Sequence, residues 1–361
     1  MERFAEWFGE VPDPRAANAR HDFLEVIFIA LAATLCGAET CSDMALFGRS
    51  KEPWLCKILD LPHGIPSHDT FSRVFRCLAP EPFEAAFARF TAAVAGVLKG
   101  IVAIDGKALR GAYERGARTN PLHLVNVWAA EARLVIGQRL APGRNEVAGA
   151  LEAIALLSLE GCMVTADALH CHAAMAKAVI DRGGDYALVL KENQAKLLID
   201  AQARIEAAAA PDVAQRAEKA HDRSERRRAV IVPAGDFAEA HGFPGAQALA
   251  RVECLQSRAG REQPPTVRHF ILSRIVAAEE VIDIARTHWT IENQLHWVLD
   301  VAFDEDGARS RKDHAPQNLA LIRKLALNLL RAHPDKTSVR GKIKRAGWDE
   351  AFLSSLLAQM R

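Results

Sequence analysis

The stretch IVAIDGKALRG, residues 101–111, decides how the rest of the chain is read. Ile101 to Ile104 have the makeup of a buried strand, and the run ends directly in Asp105, Gly106 and Lys107. A carboxylate at the end of a buried strand is costly to desolvate without a partner, so Asp105 calls for a chemical reason. CMVTADALH, residues 162–170, repeats the plan: apolar and β-branched residues, an acid, then a small residue. Two such strands in one sheet would set Asp105 beside Asp167. Carboxylates that close repel, and one keeps its proton unless a cation neutralises the pair. Hard oxygen ligands select Mg²⁺ or Mn²⁺. Two such ions about 4 Å apart can serve the attacking and leaving oxygens of a phosphodiester.

A site of that kind needs a further acid. The segment ARTHWTIENQLHWVLDVAFDED, residues 285–306, supplies candidates. Read as a helix, it places Ile291, Leu295, Val298 and Ala302 on one face, with Glu292 and His296 four apart on a neighbouring face. Glu292 sits among Trp289, Leu295 and Trp297, where a solvated acid is out of place. A paired structural Glu is the competing reading, and Asp300, Asp304, Glu305 and Asp306 are rival acids.

Outward from these motifs, residues 1–97 read as a helical N-terminal domain, a candidate DNA-binding module. Ser42 and Ser67 are expected N-caps, and Phe71, Val74, Phe75 and Leu78 form one apolar face. From residue 98 the pattern becomes β-β-β-α-β-α-β, which predicts an α/β domain with a mixed sheet flanked by helices. Residues 200–285 interrupt that rhythm with strand-like runs and are expected to form a β-rich insertion within a domain spanning 98–335. Residues 336–361 read as a helical tail.

The 361 residues are 50% hydrophobic and 25% charged, with a formal net charge of +1. That composition argues against disorder and leaves nucleic-acid binding to local clusters. Arg223, Arg226, Arg227 and Arg228 form one cluster, and Arg309, Arg311 and Lys312 another. Seven cysteines without a CxxC suggest free thiols rather than a disulfide framework. His170 and His172 lack a second ligand pair at zinc-finger spacing and read as structural. No secretory leader or membrane span is recognisable, so a soluble cytoplasmic protein is expected.

The motifs AIDGKALRG, VTADALHCH, DYALVLKENQ, THWTIENQLHWVLDVAFDED and APQNLALIRKLALNLLR, in this order, resemble the ISAs1 family of bacterial insertion-sequence transposases. These belong to the wider IS4-like DDE group, which includes the H-repeat-associated proteins. IPSHDTFSRVF resembles that family's N-terminal associated region. The resemblance implies an RNase H-like catalytic core, with Asp105, Asp167 and Glu292 as the DDE triad holding two divalent ions, Mg²⁺ or Mn²⁺. It implies strand cleavage and transfer at the ends of an insertion sequence. The partners would be double-stranded DNA, as terminal inverted repeats and target, and other copies of the chain in a dimer or larger assembly. A nuclease that cuts without joining, or a DNA-binding protein that has ceased to cut, uses the same fold.

Several positions depart from the group's pattern, among them Asp222 and Ser224, where Gly and Ile are usual, and Gly143 and Arg144, where a basic residue and Ser are usual. His288 stands four residues before Glu292 where a Tyr is usual, and Leu299 stands where a Lys or Arg is usual. Arg286, Trp289 and His296 are candidate replacements as DNA contacts, although Trp289 and Trp297 read first as core residues. Lys107 reads as facing phosphate or as a solvated surface residue. Lys191, Asn193 and Gln194 follow a strand end and are expected near DNA. Arg223, Arg227 and Arg311 are expected to touch its backbone, positioning DNA without reading its sequence.

Overall fold

The computed structural model describes residues 1–113, 121–220, 223–258 and 261–360. It opens with α1 (Glu2–Phe8), α2 (Phe23–Leu35), α3 (Cys41–Ser50), α4 (Glu52–Leu55), α5 (His68–Cys77) and α6 (Pro80–Ala95). α2 is apolar around its circumference and buried along almost all its length, the pattern of a helix at the centre of a core. Ser67 caps α5 as expected, accepting from the Thr70 amide, and Phe71, Val74, Phe75 and Leu78 are all buried. α3 starts two residues earlier than read. Thr40 is its cap, in a capping box with Asp43, which satisfies two backbone amides that Ser42 could not.

The sheet begins with the antiparallel meander β1 (Gly100–Tyr113), β2 (Pro121–Ala129) and β3 (Leu134–Leu140). α7 (Glu146–Ala155), β4 (Cys162–Ala166), α8 (Ala173–Asp181) and β5 (Asp185–Leu190) follow. β4 lies parallel to β1, and β5 parallel to β4. The resulting order β3-β2-β1-β4-β5 is that of an RNase H-like sheet.

α9 (Ala195–Ala207), β6 (Asp212–Ala220), β7 (Arg223–Pro233), α10 (Phe237–His241), β8 (Ala248–Arg258), β9 (Arg261–Glu262) and β10 (Thr266–Leu272) come next. Their strands continue the same sheet. β10 pairs antiparallel with β5, then β8, β7 and β6 follow outward, and β9 pairs with β8. β6 was not recognisable from DVAQRAEKA, which lacks apolar alternation. Its ladder to β7 defines it, and its charged side chains suit an exposed edge.

α11 (Ala278–His288), a π-helical turn (Ile291–His296), α12 (Trp297–Phe303), α13 (Ala315–Ala332), α14 (Val339–Trp348) and α15 (Glu350–Leu357) complete the chain. α7, α8, α9 and α10 pack on one face of the sheet. On the other face lie α11, the π-turn, α12 and α13. α13 is buried from Ala315 to Leu330, and its core is shared with α1–α6, α12 and α15. The N-terminal helices therefore pack against the same helix that backs the meander. No helix among the described residues is long and apolar enough to cross a membrane.

Candidate active site

Side chains alternate across a strand. In β1, Val102 and Ile104 face α7 and α8, whereas Ala103 joins the core on the opposite face. Asp105 and Lys107 share the parity of Ala103 and so turn toward α11–α13. Gly106 turns the other way, where the Glu146 carboxylate crosses the strand. A Cβ at Gly106 would lie 2.2 Å from Glu146 Oε2, so any larger residue there would have to displace the Glu146 carboxylate from the strand. The parallel register pairs Ile104 with Ala166. Each strand then delivers its acid one residue on, Asp105 from β1 and Asp167 just past β4. The Asp167 carboxylate caps the following turn by accepting from the Leu169 amide at 3.0 Å.

The π-helical turn brings Glu292 over Asp105. Trp128 Nε1 donates to Thr290 Oγ1 at 3.2 Å, while Ile291, Leu295, Leu299 and Phe303 are buried beneath. Each such side chain contributes roughly 2 kcal/mol by burial. The apolar face thus falls on Leu299 and Phe303, whereas Val298 and Ala302, expected there, are only partly buried. The wider π-turn advances the chain more residues per turn, and the apolar spacing becomes four throughout.

Asp105, Glu292 and His296 each offer a ligand atom, all within 4.8 Å of one another. Burial first, then the Glu292 carboxylate and more weakly Asp167, push the Asp105 carboxyl up to about 8. His296, its Nδ1 3.5 Å away, holds the Glu292 carboxylate down at about 2. Asp105 and Glu292 thus share one proton at neutral pH, carried on Asp105. Asp167 acts on Asp105 through space and lies outside the tight cluster of three. His288 hydrogen-bonds Thr165 Oγ1 at 3.1 Å, and burial depresses it to about 4, so it is neutral beside the acids.

Other candidates are placed differently from expectation. Lys107 is 8% exposed and grips both Asp300 oxygens at 2.7 and 2.8 Å. It points neither to phosphate nor to bulk solvent, because Asp300 on α12 and Asp306 beyond it take up its charge. His296 is likewise buried, against the carboxylates rather than on a DNA-facing surface. Asn193 and Gln194 donate to the Ala168 and Cys171 carbonyls, at 2.8 and 3.0 Å, and so brace the turn behind Asp167. Lys191 is exposed. Arg227 pairs with Glu225, Arg286 with Glu218 at 2.6 Å, and Arg311 donates to the Gly111 carbonyl while lying over Tyr113. The side chain of Arg223 lies outside the described residues. Trp289 and Trp297 are 43% and 61% exposed, not core residues.

Sequence reading missed Asn126, which is fully buried opposite Asp105 in the β1–β2 register and reaches His296 Nε2 at 3.3 Å. A polar residue at the centre of HLVNVWA was the available signal. It also missed a cavity of about 450 Å³ beside Glu292, lined by Arg227, Arg268, Arg286, Trp289 and Asn293. Arg268 caps the Trp289 ring there at 4.6 Å.

An RNase H-like sheet with acids on its neighbouring central strands under a helix is the layout that DDE enzymes use. Residues 97–329 match the transposase DDE domain, and residues 5–91 match the DDE_Tnp_1-associated region. The chain belongs to the transposase DDE domain family. Similar proteins include the H repeat-associated candidate transposase YhhI of Escherichia coli strain K12, 29% identical over 99% of this chain and 98% of that one. The candidate transposase YncI of Escherichia coli O157:H7 is 30% identical, over 99% and 95%. The piggyBac transposase synaptic complex with hairpin DNA aligns at TM-score 0.46 and 13% identity, over 99% of this chain and 77% of that one. The protein is a DDE transposase, and that enzyme class depends on divalent metal.

Proposed function

We propose that this transposase, of the ISAs1 group, cleaves DNA at the ends of an insertion sequence and joins the freed 3′-OH to target DNA, with Asp105, Asp167 and Glu292 as its triad. The observation that carries this reading is the parallel pairing of Ile104 with Ala166, which sets two acids one residue further along neighbouring central strands, where Glu292 meets Asp105. The donor set fits a divalent ion. Three acids influence one another, a proton stands in for missing positive charge on Asp105, and Lys107 is already committed to Asp300. Mg²⁺ or Mn²⁺, as two ions, suits carboxylate oxygens and would supply Lewis-acid stabilisation of both exchanging oxygens at phosphorus. Asp105 and Asp167 would hold the ions, and Glu292 would complete one site. In releasing its proton to bind metal, Asp105 becomes the anion that the site requires.

The partners proposed are terminal inverted repeats and target duplex, held by two or more copies of the chain. Lys191, Arg223, Arg227, Arg286 and Arg311 would lie along the DNA backbone, and residues 1–97 would add further DNA contacts ahead of the catalytic domain at 98–335. Purified protein, end-containing DNA and Mg²⁺ test the reading. Asp105→Asn, Asp167→Asn and Glu292→Gln should each reduce cleavage at least 10³-fold, in the range seen when a preorganised charge-stabilising group is lost. Equal cleavage by all three variants would refute the triad. Cleavage without joined product would favour the nuclease.

A further inference from the structure

His296 is the one ring among the described residues that shares a cluster with Asp105 and Glu292. Its Nδ1 stands 3.6 Å from Asp105 Oδ2 and 3.5 Å from Glu292 Oε2. Both distances exceed those of an ordinary N–H···O bond. They suit donors around one ion instead, because ligands held at about 2.1 Å lie about 3 Å apart at a right angle and about 4 Å apart across the ion.

The other ring nitrogen points to the same conclusion. Nε2 meets the Asn126 amide nitrogen at 3.3 Å, while Asn126 Oδ1 is buried without a hydrogen-bond partner. Turning that carboxamide through half a rotation puts the orphaned oxygen against Nε2. The oxygen then accepts from Nε2–H, which leaves the Nδ1 lone pair directed at two carboxylates. A lone pair facing two carboxylates is stable only with a proton or a cation among them, and a metal ion would replace the proton that Asp105 holds. The outer partner of a histidine sets which nitrogen is free to ligate, and Asn126 is placed to do this from the strand position opposite Asp105.

We propose that His296 is a metal ligand through Nδ1, forming with Asp105 and Glu292 a two-carboxylate, one-imidazole site, and that Asn126 fixes its tautomer. This rests on the reading of Asp105 and Glu292 given above. An imidazole in the set moves preference from Mg²⁺ toward Mn²⁺ and the later first-row ions.

The test uses Mn²⁺ with the full chain, without DNA, and reads nitrogen coupling by pulsed electron paramagnetic resonance. Wild type should show coupling to a coordinated ¹⁴N. Growth on ¹⁵N-histidine should replace that signal in the unmutated protein, whatever the folding of any variant. His296→Gln should abolish the coupling. Asn126→Leu should weaken Mn²⁺ binding about 10- to 100-fold, as loss of a second-shell partner does. Mn²⁺ bound in an Asp105-dependent manner without nitrogen coupling overturns the role of His296 and leaves the carboxylates standing. Mn²⁺ bound equally well by Asp105→Asn overturns the underlying site and this proposal with it.

Discussion

Lys107 of β1 binds Asp300 of α12 through both carboxylate oxygens, at 2.7 and 2.8 Å, two residues from Asp105 and eight from Glu292. The bond fastens the strand bearing the first acid to the helix that follows the third. Burial raises the Asp300 carboxyl and Lys107 opposes that rise, so deleting the ammonium leaves a half-buried acid uncompensated. Removing one member of a fully buried pair costs roughly 3–5 kcal/mol. Asp300 keeps 30% of its side-chain surface, so about 2 kcal/mol is expected for Lys107→Met. Urea unfolding would measure it. DNA affinity should retain its salt slope in this variant, since no phosphate contact is lost, whereas a backbone-contacting lysine would lower that slope by about 1.

Asp105 should make metal-free stability fall with rising pH. Its carboxyl moves from an ordinary value of 3.8 up to about 8 on folding. Between those values the native state binds the additional proton, so stability declines as pH rises through that window. Asp105→Asn removes this contribution. In thermal melts with chelator present, the variant should gain on wild type steadily from pH 5 to pH 8. Adding Mn²⁺ at pH 8 should close the gap, because only wild type exchanges its proton for the ion. A constant difference across that range would refute the shift.

Much of this site was legible because it depends on local order. An acid is visible whenever an apolar run stops at Asp, although β1 continues past Asp105 to Tyr113 rather than ending there as expected, and the β-β-β-α-β-α-β order already implies the sheet that joins the two acids. What stayed hidden is set by contacts between distant residues. Lys107 reads as a surface cation until Asp300, 193 positions on, is placed against it. Trp289 and Trp297 look like core residues, yet both are exposed, and after the π-helical turn Leu299 and Phe303 are buried instead. A repeat of 3.6 cannot anticipate one wide turn. β6 is invisible for a related reason, since a ladder on β7 defines it rather than its own alternation.

A second buried charge network ties the N-terminal helices to the sheet. Lys324 and Glu305 are both fully buried 3.8 Å apart, and Lys324 donates to Gln138 Oε1 at 2.7 Å. Gln138 in turn donates to Glu84 of α6, which also binds Arg139. Burial lowers Lys324 to about 8 and raises Glu84 to about 7. Lys324→Met should cost roughly 3 kcal/mol, at the low end for a broken buried pair, because Glu305 loses its nearest cation and keeps only Arg323. Adding Glu305→Leu should restore much of that loss, since an apolar pair of similar volume often equals the ionic one. A double-mutant cycle in urea checks the coupling, and additive losses would show that the two groups are independent.

Trp289 offers the remaining test, at the cavity beside Glu292. Its ring is 43% exposed, and one face is taken by Arg268 at 4.6 Å. Arg227 and Arg286 line the same cavity. An exposed indole next to cations has the makeup of a stacking platform for an unpaired base, worth roughly 1–3 kcal/mol per base. Trp289→Ala should therefore weaken binding to DNA whose end is frayed or single-stranded by at least 5-fold. Binding to fully paired internal duplex should change little, because its bases remain stacked on one another. Fluorescence anisotropy with the two substrates gives the comparison. Equal loss on both would mean that Trp289 acts through Arg268 and the shape of the cavity, not through a base.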